Sequence, residues 1–313
     1  MAKMKMIIDC DTGVDDALAI TYILANPDIE LLGVTTTFGN VDLDMAATNS
    51  KLILELFHKG EIGVYKGASH SRVSDHYERH AKSNAIHGDN GIGNVDLGPM
   101  KGKIEEKSAV NFILESARQY KKDLHLVFVG PLTNLAECIE KDEAALKEVG
   151  DITIMGGALT TRGNASIYAE ANIISDPLSA KIALGSSLDL HLVPLDATHK
   201  TLFRVSDIKE WKDINEAGKD LYEIARYYYV RELGGEETGG AMHDPLAAFA
   251  SYDPSIITNW FACNLTAEES GRTISYFEEL NLPRKRHHVA LDVDTRRFTE
   301  EYIDLVSNLI KKQ

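Results

Sequence analysis

Apolar runs of strand length alternate with stretches of helical periodicity along most of the chain. "KMIID" (5–9), "ELLGVTT" (30–36), "LHLVFV" (124–129), "DITIM" (151–155) and "DLHLV" (189–193) read as strands buried on both faces. Between them, 15–25, 42–59, 106–120, 132–148 and 176–185 repeat apolar residues at helical spacing, with starts signalled by Pro131 and "SDPLSA". Residues 205–231 read as one continuous helix, followed by "GGEETGG", a glycine-rich stretch fit for a mobile loop, and by "MHDPLAAFA", another helix start. Strands near 256–264, 272–276 and 288–293 and a last helix over 297–311 complete the pattern. Such alternation predicts an α/β fold, a mainly parallel sheet flanked by helices on both faces. No internal repeat or linker marks a boundary, so residues 1–313 are expected to form a single domain.

Composition narrows the partners. An apolar fraction of 44% and a charged fraction of 26% are ordinary for a globular protein, while a net charge of -15 argues against a nucleic acid or an anionic membrane. Cys10, Cys138 and Cys263 are too few and too scattered for a disulfide framework or a zinc site. "MAKMKM" leads into a run too short for a signal peptide, and no apolar run approaches membrane-spanning length. The expectation is a soluble, cytoplasmic protein with reduced thiols.

In a parallel sheet, ligands bind beyond the carboxyl ends of the strands. Five polar clusters fall there: Asp9, Asp11, Asp15 and Asp16; Asn40; Thr133 and Asn134 in "GPLTN"; Asn164, Glu170, Asn172 and Asp176; and His243 with Asp244. Helix capping would account for Asp15 or Asp16. It does not account for Asp9 and Asp11, which close a buried strand where unpaired charge is costly. A hard cation such as calcium or magnesium does, because it takes oxygen ligands. The spacing is not that of an EF-hand, since Val14 and Ile20 stand where its Gly and Glu belong. There is no G-x-S-x-G elbow; "GPMKGK" is too short for a P-loop, and "GIGNVDLG" has Asp96 in place of the last dinucleotide-motif Gly. His287 and His288 read as structural or surface residues, and Tyr227–Tyr229 as core residues or substrate contacts.

"DCDTGVDDALA", "TTTFGN", "IHGDNGIG", "GPLTNLA", "MGGA", "GNASIYAEANIISDP" and "MHDPLAAF" occur in an order that resembles the nucleoside hydrolases of the inosine-uridine-preferring type, from Met6 to the final helix. The resemblance implies a Rossmann-like domain with its active site at the carboxyl ends of the strands. It also implies bound Ca2+, a homodimer or homotetramer, and cleavage of a ribonucleoside into ribose and free base. In this reading Asp11, Asp16, Asp244 and the carbonyl of Thr133 hold calcium, with Asp9 as a supporting acid and Asn40 beside the metal. Asp15 takes the ribose 2′-hydroxyl, Asp244 also the 3′-hydroxyl, Asn172 the diol, and Asn164 and Glu170 the 5′-hydroxyl. Glu170 and Asn172, two apart, would point to one face of an extended segment.

Asp11 is then the expected general base toward water and His243 the expected acid for the leaving base, with His87 in a loop lining the pocket. The chain departs from the family pattern at Thr12, where Pro is common, and at Ala171, where a bulky aromatic is often found. His243 places it with the histidine-using branch rather than with the tryptophan-stacking purine branch; Trp211 and Trp260 fall in no motif. Purine against pyrimidine preference stays open. Two rivals are a haloacid-dehalogenase-type magnesium phosphatase, whose nucleophile motif is also D-x-D, and a non-catalytic nucleoside-binding protein. Gly13 stands where the phosphatase motif wants Thr or Val.

Overall fold

A computed structural model of the chain describes residues 3–232, 235, 238–276 and 286–313. Its main sheet is built on β1 (Met4–Cys10), β2 (Ile29–Thr36), β3 (Gly63–Lys66), β4 (Leu124–Phe128), β5 (Asp151–Met155) and β6 (His191–Val193). A two-stranded ribbon pairs β7 (Leu202–Phe203) with β8 (Gly240–Ala241), and β9 (Ile257–Ala267), β10 (Thr273–Tyr276) and β11 (His287–Val293) extend the main sheet. The order across its nine strands is β10-β9-β11-β6-β5-β4-β1-β2-β3. From β11 to β3 every pairing is parallel; β9 and β10 add an antiparallel edge.

The helices are α1 (Val14–Ala25), α2 (Leu43–Leu56), α3 (Ala81–His87), α4 (Ala109–Tyr120), α5 (Thr133–Leu146), α6 (Ala171–Ser175), α7 (Pro177–Leu184), α8 (Leu195–Thr198), α9 (Glu216–Glu232), α10 (His243–Tyr252) and α11 (Thr295–Ile310). The period-two alternation of β1 divides the core in two. Met6, Ile8 and Cys10 pack with residues of α1, α2, α9, α10 and α11. Ile7 faces the other way, into the layer formed by α4, α5 and α7. Because both faces of the sheet are covered, its strands read as nearly continuous apolar runs.

Strand β1 lies inside the sheet, with β2 on one flank and β4 on the other. The order 3-2-1-4-5-6 reverses direction there, which opens a crevice beyond the carboxyl end of β1.

Several features differ from the expected elements. Residues 205–231 are not one helix: Val205–Asp213 wind as a 3-10 segment and α9 begins at Glu216. The break lies at Asn215, whose Oδ1 accepts the Gly218 N–H at 2.9 Å and so starts a new helix. Strand β3 and helix α3 were not anticipated. β3 is an edge strand that buries only Val64 fully, and α3 ("AKSNAIH") is short and polar. In the glycine-rich stretch, Gly234 lies outside the described residues, whereas Gly240 is held in β8 opposite Phe203.

Candidate active site

After Cys10 the chain turns through Asp11, Thr12 and Gly13 into α1, and this turn is closed by its own acids. Asp16 Oδ1 accepts the Asp11 N–H at 3.1 Å, and Asp16 Oδ2 accepts the Gly13 N–H at 2.8 Å. The next orphan donor, Val14 N–H, is met from far along the chain by His87 Nδ1 at 3.1 Å. Asn40, in the turn after β2, supports two acids at once. Its N–H donates to Asp11 Oδ2, and its Nδ2 donates to Asp16 Oδ2 at 3.1 Å. Gly39 precedes it with φ +155, and a Cβ there would fall 2.1 Å from Asp11 Oδ2. Gly13 is equally constrained: a Cβ would lie 2.5 Å from His87 Nδ1 and 3.0 Å from Asn40 Nδ2. Gly13→Ala should therefore displace both side chains, destabilising the fold by about 1–3 kcal/mol and lowering turnover. Urea unfolding together with kcat checks this; unchanged values for both would show that the turn has slack.

Deeper in, Asp9 Oδ2 accepts Thr35 Oγ1–H at 2.6 Å and Asn134 Nδ2–H at 2.7 Å. Asn134 also donates to Thr36 O at 3.1 Å and accepts from Ala68 N at 2.9 Å, so it ties α5 to the ends of β1 and β2. Thr133, the first residue of α5, donates its hydroxyl to Asp176 Oδ2 at 2.7 Å. Asp176 in turn caps α7 through Ser179.

Asp9, Asp11, Asp15, Asp16 and Asp244 are all buried. Burial is the largest influence on each, and it pushes every one of these carboxyls up: Asp9 to about 6, Asp15 to about 7, Asp11 and Asp244 well above the ordinary carboxylate range. Mutual repulsion adds to it, chiefly from Asp16 on Asp11 and Asp15 and from Asp15 on Asp244. Asp16 is raised less freely because the Gly13, Asp11 and Asn40 donors favour its charged form. One oxygen each of Asp9, Asp11 and Asp15 is buried without any hydrogen-bond partner. Carboxylate oxygens of Asp15, Asp16 and Asp244 lie within 4.8 Å of one another. An all-oxygen donor set with orphaned acceptors fits a hard divalent cation. Asp11 is not one of that trio and joins it through the Asp16 bond.

Above the acids opens a cavity of about 770 Å³. Asp11, Asp15, Asn40, His87, Asn164, Glu170, Asn172, His243 and Asp244 line it, while Asp9, Asp16 and Thr133 are buried but not on its wall. A second depression of about 470 Å³, beside Lys66, Ser108 and Glu140, holds none of these groups.

On one side of the cavity, Glu170 caps α6 and accepts main-chain N–H groups from Gly157, Asn172 and Ile173 at 2.8–3.1 Å. Asn172 is therefore helical, and the expected extended Glu170–Asn172 segment is not found; the two converge because one is the cap of the other's helix. Asn172 Nδ2 bridges Val129 O at 2.7 Å and Met155 O at 3.2 Å, committing both amide hydrogens to the ends of β4 and β5. Its Oδ1 is left as the available group. Asn164 Oδ1 accepts from Ala171 N at 2.9 Å.

At another part of the wall, His243 Nδ1 lies 2.7 Å from Thr198 Oγ1 and its Nε2 3.1 Å from Glu232 Oε1. Burial alone would lower this imidazole. The Glu232 hydrogen bond and charge, with Asp15 and Glu170, raise it instead. His87 goes the opposite way: burial, then Arg79 and His243, push it down to about 3, so it is neutral and its Nδ1 stays an acceptor. Of the three tyrosines, only Tyr228 lines the cavity. Tyr229 is core, against Met242, and Tyr227 carries the Arg231 guanidinium 3.6 Å over its ring.

Sequence reasoning missed Glu232, Thr198 and Arg79. Arg79 Nε donates to Asn40 O at 2.7 Å, and its other nitrogens reach Asn84, Gly88 and Asp89, so it fastens the His87-bearing loop onto the acid cradle. A lone Arg in a polar loop carries no signal. Glu232 did carry one, because a carboxylate at a helix C-terminus opposes the macrodipole.

The fold and this acid-floored cavity define an α/β protein with an oxygen-rich ligand site beyond the carboxyl ends of its strands, and comparison with known proteins gives the class. The sequence pattern of the family described as "Inosine-uridine preferring nucleoside hydrolase" matches residues 6–300. The inosine-uridine preferring nucleoside hydrolase of Crithidia fasciculata is 31% identical over 97% of this chain and 98% of its own. The probable uridine nucleosidase 2 of Arabidopsis thaliana is 35% identical over 82% of this chain and 80% of its own. The structure of a purine-preferring ribonucleoside hydrolase from Gardnerella vaginalis superposes with a TM-score of 0.94 at 40% identity, covering 99% of this chain and 100% of that one. The chain belongs to the inosine-uridine preferring nucleoside hydrolase family, and it is an enzyme, a ribonucleoside hydrolase. Neither the phosphatase nor the non-catalytic reading finds support in these matches. Among the described residues, no helix is long and apolar enough to cross a membrane.

Proposed function

We propose that the chain cleaves the N-glycosidic bond of purine and pyrimidine ribonucleosides in a calcium-dependent reaction. The observation that carries this reading is the set of orphaned, buried oxygens on Asp9, Asp11 and Asp15 beside the Asp15–Asp16–Asp244 convergence. Asp11, Asp16, Asp244 and the Thr133 carbonyl would hold the cation. When bound, calcium supplies positive charge that lowers the pKa of a water molecule and fixes its place. Both base classes are included because the relatives' names divide between them: purine-preferring in one, uridine in another.

The chain's own residues supply the rest. Asp15, Asp244 and Asn172 Oδ1 orient the ribose diol, and Asn164 and Glu170 take the 5′-hydroxyl. As the C1′–N bond breaks, positive charge develops on the ribosyl ring and the surrounding carboxylates stabilise it. Water forms the new C1′–O bond and passes a proton to Asp11 Oδ1, while His243 protonates the departing base. Asn40 and Asp16 keep Asp11 in place through their bonds to its carboxylate and N–H.

Incubation with inosine, uridine and a phosphate monoester, with and without chelator, tests this. Ribose release should stop on exhaustive chelation and return with calcium. Release that survives chelation would remove the cation from the mechanism, and phosphate release would revive the phosphatase reading. Sugar selectivity is a separate check. Without the 2′-hydroxyl, buried polar partners are left unpaired, so kcat/KM for deoxyuridine should fall at least about a hundredfold below that for uridine. Similar values for the two would refute the diol clamp.

A further inference from the structure

Glu232 ends α9 with a carboxylate at the negative end of the helix dipole, so helix stability does not explain it. Its side chain is 11% exposed and stands on the cavity wall with Tyr228, His199 and His243. Two of its acceptor positions are met, by Ala241 N–H at 2.5 Å and by His243 Nε2 at 3.1 Å. A carboxylate has about four such positions. Of the neighbouring groups, His87 Nδ1 is committed to Val14, and His243, steadied by Thr198 and Glu232, serves the proton transfer to the departing base. The adjacent Arg231 is stacked on Tyr227. Tyr228 on the same wall can donate its hydroxyl, and what Glu232 adds for a ligand is hydrogen-bond acceptance by a charged group.

We infer that Glu232 is a specificity-determining residue that reads the nucleobase, accepting a hydrogen bond from a ring N–H or an exocyclic amine. The site then takes bases that carry such a donor, among them hypoxanthine, guanine and uracil, and discriminates against analogues in which that nitrogen is methylated. This rests on the nucleoside reading above and deepens it, since no residue had been assigned to the far edge of the base. The carboxylate held by Ala241 N–H is fixed in place before the base arrives, so little ordering is needed on binding.

The test is kcat/KM on two matched pairs, inosine with 1-methylinosine and uridine with 3-methyluridine. Within each pair the leaving group needs the same protonation, so a purely positional effect of Glu232 on His243 would lower both members alike. Wild type should prefer the unmethylated member by at least about tenfold, the scale of a hydrogen bond to a charged group. Glu232→Ala should bring that ratio to about one. Glu232→Met, which keeps the stem and removes the acceptor, is read in the same way if the alanine variant is not folded by circular dichroism. A wild-type ratio near one, or a preference that survives in either folded variant, overturns the inference while leaving nucleoside hydrolysis intact. Failure of wild type to release ribose from inosine or uridine would instead overturn the nucleoside reading beneath it.

Discussion

Asp11→Asn should lower kcat by at least about a hundredfold, the scale of a lost general base, with little change in melting temperature. The surroundings decide how the new amide sits. Asn40 N–H donates to Oδ2 of Asp11, so the amide oxygen must take that position. The NH2 group is then forced into the place of Oδ1, the oxygen with no partner in the protein. The variant would thus present a donor where a proton acceptor is needed, and Asp16 would still accept the main-chain N–H of residue 11. Single-turnover measurements on inosine, with calcium content determined in parallel, separate lost chemistry from lost metal. Near-normal turnover in a folded, metal-loaded variant would move the base to another acid, with Asp15 first in line because its Oδ1 is equally unpartnered.

His243→Ala should divide substrates by leaving group. Natural bases leave poorly without a proton, so losses of about 10²–10⁴ are expected on inosine and uridine. The leaving group of 4-nitrophenyl riboside needs no proton, and its hydrolysis should fall far less. The substitution leaves Thr198 Oγ1 and Glu232 Oε1 without their shared partner, for which about 1–3 kcal/mol of stability is the expected loss. The synthetic riboside therefore also serves as the control for folding. Equal losses on both substrates would make His243 structural. His87 is a poor substitute, since it is neutral with Nδ1 committed to α1, and the Tyr228 phenol, raised well above its usual range by burial, would be the next donor.

How far the site was legible in advance follows from what each residue costs where it stands. Acids crowded at the end of a buried strand are costly, so Asp9 and Asp11 stood out in the sequence as a candidate ligand site. The strands of the central sheet were equally plain, because burial on both faces demands unbroken apolar runs such as "LHLVFV". Edge strand β3 is four residues long and buries only Val64 fully, so it left no apolar run to find. The break at 214–215 was signalled only by Asn215, a capping residue inside an otherwise continuous amphipathic pattern. Glu170 and Asn172 were correctly paired for the wrong geometric reason. A spacing of two suits an extended strand, but it equally joins a cap to the second residue of its helix, and Glu is an uncommon cap. Contacts between distant segments, such as His87 with Val14 or Arg79 with Asn40, depend on loop paths that no local pattern encodes.

Helix α8 is only one turn long, yet both sides of the cavity hang from it. Asp196 accepts the N–H groups of Leu159 and Thr160 at 2.9 and 2.7 Å, anchoring the start of the loop that carries Asn164 and Glu170. Two residues later, Thr198 holds the imidazole of His243. Anyone reshaping this enzyme therefore does not have two separate modules to exchange. A loop grafted in to accept a modified sugar must bring partners for Asp196, or it will tilt the same turn that aims His243. Variants selected for a new sugar and variants selected for a new base should then prove mutually dependent, and libraries that vary the two sides together would reach combinations that stepwise changes miss.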